Sequence, residues 1–60
     1  MAHRAEISAI HSSLDDVLRR ITALAESARA DDDEELAGEL FGVERALTGA
    51  NRRLQRLAGI

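Results

Sequence analysis

Apolar residues recur along this 60-residue chain at alternating spacings of three and four. Ile7, Ile10, Leu14, Val17, Ile21, Leu24 and Ala28 keep that rhythm in the first half; Leu36, Leu40, Val43, Leu47, Ala50, Leu54 and Leu57 keep it in the second. Positions three and four apart share one side of an α-helix, so each set is the a/d line of a heptad seam. The pattern predicts one helix over 2–28 and another over 33–58, each about 25 residues and ~38 Å long at 1.5 Å per residue. No proline interrupts either segment.

The rhythm breaks once, in SARADDDEE, where an acidic turn is expected over 29–33. Asp32 followed three residues later by Glu35 has the spacing of a capping box. The run from Asp31 to Glu35 also suits the positive end of a helix. A break this short joins antiparallel neighbours. The expected fold is therefore all-α, a single domain forming an antiparallel, coiled-coil-like two-helix hairpin. Leu18 and Ala25 flank the first seam and Ala37 and Ala46 the second, with Glu39 on the Ala46 side. The apolar stripes are thus wider than one partner helix covers. We expect the hairpin to self-associate through these seams into a four-helix bundle, most simply a homodimer.

Composition sharpens that expectation. Sixty residues bury little surface, and with no cysteine there is no disulfide to compensate, which leaves oligomerisation as the remaining support. A net charge of −3 and a pI near 5.2 argue against a general binder of nucleic acid or anionic membranes. No window approaches 18 consecutive apolar residues, and MAHRAEISAI lacks the basic-then-apolar order of a secretory signal, so a cytoplasmic location without a membrane partner is expected. All eight basic residues are arginine, which suggests a small bacterial protein from a GC-rich genome.

The charges are also placed unevenly. An antiparallel hairpin gathers Arg4 with Arg52, Arg53 and Arg56 at one end, and Glu26 with Asp31 to Glu35 at the other. Two hairpins with their turns at opposite ends would bring unlike ends together. The basic end is also the candidate contact for an anion or nucleic acid. Away from the second seam fall Gly38, Gly42 and Gly49, with Phe41, the chain's only aromatic residue, at the seam's flank. These four are the candidate contacts for a different protein.

Candidate chemistry is sparse. His11 and Asp15 stand one helical turn apart, which suits an oriented imidazole or two metal ligands. Two ligands do not complete a site, and His3 would have to join from the terminus, so both are read as solvated residues at the stripe edge. Ser12 and Ser13 adjoin His11, but neighbours on a helix point apart and cannot act as nucleophile and base. Arg29 and Asp32 have the spacing of turns that hold cyclic dinucleotides, although two residues define no site. No metal, cofactor or catalytic residue is expected.

The segment from Arg4-Ala-Glu-Ile7-Ser-Ala-Ile10 through Leu14, Leu18 and Leu24-Ala25 resembles the first helix of the AroQ-type helical chorismate mutases over about a third of the chain. Arg4 would match that family's first-helix arginine, while the second expected arginine falls at Ile21, so no site residue carries over. The expected function is a small non-enzymatic protein–protein interaction module, an adaptor, regulator or assembly factor. Two alternatives are a nucleic-acid-binding regulator using the basic end, and an obligate subunit of a hetero-complex, such as an antitoxin or an anti-sigma-type partner.

Overall fold

Two helices, α1 over Ala2–Ala30 and α2 over Glu34–Ala58, account for nearly all of the computed structural model, which describes residues 2–59. They pack side by side as an antiparallel hairpin with principal extents of 47 × 15 × 12 Å. The radius of gyration is 13.8 Å, against about 10 Å for a globular domain of this length. Its accessible surface is 4532 Å², against roughly 3,800 Å² for a compact monomer of this mass. A rod of two helices hides less of itself than a sphere does.

The turn closes with backbone bonds rather than with glycine. Asp31 N–H donates to the Ser27 carbonyl at 3.0 Å, Asp32 N–H to Arg29 at 3.0 Å and Asp33 N–H to Ala28 at 2.9 Å. The last two bonds form a Schellman closure, with Asp32 in the left-handed conformation at φ 63°. The next residue caps α2, since Asp33 Oδ1 accepts the Leu36 N–H at 3.2 Å. α1 therefore runs to Ala30, past the expected 28, and the cap is Asp33 rather than the Asp32 that the Asp32 to Glu35 spacing implied. Asp32 is already committed to ending α1.

Two substitutions here are expected to act in opposite directions. Asp33→Ala removes the cap and lowers stability by about 1 kcal/mol. Asp32→Gly relieves the left-handed backbone and raises stability by about 0.5–1 kcal/mol. Urea midpoints at one fixed chain concentration check both; equal shifts would contradict this account of the turn.

At the other end Gly59 stops α2 at φ 80°, its N–H donating to the Gln55 and Arg56 carbonyls at 3.1 and 3.2 Å. A Cβ placed on Gly59 would stand 3.1 Å from Arg4 Nη1. The start of α1 thus lies beside the negative end of the α2 dipole, a favourable place for an arginine.

Small and polar residues, of which only Ala28 belongs to the heptad seams, form the line along which the helices meet. The buried hydrophobic residues are Ala25, Ala28 and Ala37, and the buried polar residue is Asn51. In a two-helix molecule only the opposite helix can bury a side chain, so these positions mark the contact. Ala25 and Ala37 were expected only to flank the stripes. Small side chains let the backbones approach closely, and that leaves the branched residues at the rim. Ile7, Leu14 and Ile21 on α1, with Leu40, Leu47 and Leu54 on α2, are half-buried there. The remaining seam residues, apart from buried Ala28, turn outward.

Candidate functional site

Among the described residues six large apolar side chains are exposed, by 39% at Val17 up to 59% at Leu57. Ile10, Val17 and Leu24 make a row at seven-residue spacing on α1, and Leu36, Val43 and Leu57 fall on the matching row of α2. On both helices the half-buried row and then the exposed row lie on the same side of the contact line in sequence terms. Because the helices run in opposite directions, that common sense turns all four rows to one side of the hairpin. One broad face is consequently apolar from edge to edge. An open groove of about 420 Å³ on it is lined by Val17, Arg20, Ile21 and Leu24.

The opposite side of the contact line is polar and holds a bonded cluster. Asn51, 4% exposed, lies between the helices with its amide bridging two α1 side chains. Asn51 Nδ2 faces Asp15 and donates to its Oδ1 at 3.0 Å. That orientation turns Asn51 Oδ1 toward His11 Nδ1 at 2.8 Å, and the imidazole must then carry its hydrogen on Nδ1. His11 Nε2 stands 3.9 Å from Asp15 Oδ2, beyond hydrogen-bond distance. His11 and Asp15 are therefore joined across the interface through Asn51, not merely solvated at the stripe edge. Apolar periodicity contains no sign of Asn51, which follows Ala50 of the expected seam. The seven-residue row Ala37, Glu44, Asn51, Ala58 would have shown it, had small and polar residues been counted.

Among the described residues no group of three or more His, Cys, Asp or Glu side chains is placed to hold a metal ion. No buried side-chain nitrogen or oxygen there lacks a hydrogen-bond partner. No helix is long and apolar enough to cross a membrane.

The other candidate residues divide between two regions. Phe41 is half-buried at the polar edge of α2, and the Arg29 guanidinium lies 4.9 Å from its ring centroid. That cation–π contact is worth about 0.5–1 kcal/mol at an exposed site. It also places Arg29 over the aromatic ring, apart from any turn motif with Asp32. A Cβ added to Gly38, Gly42 or Gly49 would meet nothing within 4 Å, so no helix of the hairpin makes use of the missing side chains. Gly49→Ala is accordingly expected to raise stability by about 1 kcal/mol through helix propensity. A lower melting temperature on that change would mean something else packs against this side. Arg52, Arg53 and Arg56 are exposed near the Gly59 end of α2, which exposed Arg4 also adjoins.

Comparison with family models, with curated proteins and with solved structures finds nothing that matches this chain.

Proposed function

We propose that the chain is a small, non-enzymatic protein–protein interaction module that works as a homo-oligomeric four-helix bundle. The observation that carries this reading is the apolar face, whose six large side chains are left in water while the buried hydrophobic residues between the helices are alanines. Monomers rarely leave a contiguous apolar surface of this extent uncovered. Each of the six side chains is about half exposed, and covering the rest is worth about 1 kcal/mol apiece. Two hairpins supply twelve, on the order of 10 kcal/mol, which is the scale of the entropy lost on association. The half-buried rows between them add to that gain.

Within such a bundle the outer surface is free to present an adaptor, regulator or assembly contact. Gly38, Phe41, Gly42 and Gly49 form the candidate patch, which a partner would reach on the polar side, around Arg29. Light scattering at two chain concentrations, with circular dichroism on the same samples, tests the reading. A strongly helical dimer is expected. A well-folded monomer overturns it, and a weakly helical monomer replaces it with the hetero-complex reading, in which a foreign helix covers the same face.

A further inference from the structure

We infer that the apolar face is covered by a second copy lying antiparallel, with the two turns at opposite ends and a twofold axis crossing the face at Val17. This rests on the homo-oligomeric reading above and adds the geometry of the pair. The hairpin's register is pinned at three heights: Arg4 beside Gly59, His11 bonded to Asn51, and the turn from Ala30 to Glu34. Those three heights put Ala46, Arg45 and Leu47 in turn level with Val17, so the level falls at Ala46 to within one residue. Val17 is the midpoint of the exposed row on α1, from Ile10 to Leu24. The point between Ala46 and Leu47 is the midpoint of the row on α2, from Leu36 to Leu57.

Both rows are therefore centred at one level of the rod to within about one residue. A twofold axis running across the face there reverses each row onto itself, setting Ile10 against Leu24 of the second copy, Leu36 against Leu57, and Val17 against Val17. Nothing in the heptad pattern of either helix alone requires this agreement, because the turn could have offset the two centres by half a repeat.

Charge selects between this arrangement and the other face-to-face dimer, in which both turns lie at the same end. Exposed Glu39 and Arg53 share the edge row bordering Leu36 to Leu57, fourteen residues apart and spaced almost evenly about the axis level. The twofold axis carries Glu39 of each copy to Arg53 of the other, giving two ion pairs. It also sets each acidic turn, Asp31 to Glu35, beside the second copy's basic end. The same-end dimer would crowd both acidic turns together instead.

The chain has no cysteine, so single cysteines report directly on the pairing. Under mild oxidation Val17→Cys is expected to give a disulfide-linked dimer, because this position faces itself across the axis. Leu24→Cys alone should not link, whereas Leu24→Cys mixed with Ile10→Cys should. In the same-end dimer Val17 lies diagonally across the core, and Leu24 is level with Leu40 of the second copy. A Leu24→Cys and Leu40→Cys cross-link without one at Val17 overturns the orientation and leaves the homo-oligomer standing. A monomer by light scattering overturns both. Should a cysteine variant fail to fold, Glu39→Arg is expected to weaken dimerisation on the order of tenfold at low ionic strength, and Glu39→Arg with Arg53→Glu to restore it. Failure of the double reversal to restore also overturns the orientation.

Discussion

Val17→Glu is expected to turn the proposed dimer into monomers and to remove most of the helical circular dichroism at micromolar chain concentration. In the hairpin alone the substitution is tolerable, since Val17 is 39% exposed and the new carboxylate can reach water. In the proposed pair, two carboxylates face each other across the axis inside an apolar layer. Burying an unpaired charge costs several kcal/mol even after local relaxation. A loss of only ~3 kcal/mol raises the dissociation constant more than a hundredfold. Ser12→Glu, exposed on α1 away from this face, is the matched control and should leave the dimer intact. Sedimentation of both variants beside the parent decides the matter; an undisturbed Val17→Glu dimer would remove the apolar face from the interface.

The second large effect is expected at Asn51. Asn51→Leu keeps the branched shape, somewhat enlarged, and adds hydrophobicity, yet it leaves His11 Nδ1 without its acceptor and Asp15 without its donor. Stranding polar groups at a part-buried interface costs about 1–3 kcal/mol, more than the leucine gains there while its neighbours remain polar. The triple change His11→Leu, Asp15→Leu and Asn51→Leu removes all three partners together and should recover the loss, because replacing a whole network with apolar groups is near neutral or stabilising. Urea titrations at one fixed chain concentration measure both. A single variant more stable than the parent would mean the bonds in this cluster contribute nothing net.

These two sites differ in how far they were readable from sequence. Val17 belongs to an unbroken rhythm of large apolar residues, and periodicity alone assigns it to a helix and to an apolar stripe. The same rhythm misleads about which surface meets the neighbouring helix. Counting only Ile, Leu and Val selects a stripe of which one row on each helix borders the other arm of the hairpin and the other row turns outward. The buried positions between the helices are Ala25, Ala28, Ala37 and Asn51, and of these the apolar rhythm takes in only Ala28. The cap failed for a related reason. The sequence offers Asp31, Asp32 and Asp33 in a row, all competent caps, and the choice among them depends on which one the end of α1 has taken into the left-handed conformation. Spacing carries no information about that.

The acidic corner also carries a phase difference. Continued through the turn without a break, the row of Ile10, Val17 and Leu24 would reach Asp31 and then Gly38, whereas the equivalent row of α2 starts at Leu36. The second half is thus two residues out of step with the first, about 200° around a helix at 3.6 residues per turn. Were the corner to straighten, and no glycine or proline within 29–33 forbids it, the resulting rod would bear one apolar stripe on its front for half its length and on its back for the other half. Two such rods could not zip together along a single seam. The offset therefore guards against the long, open-ended coiled coil that uninterrupted heptads favour, and ties the chain to short, closed assemblies.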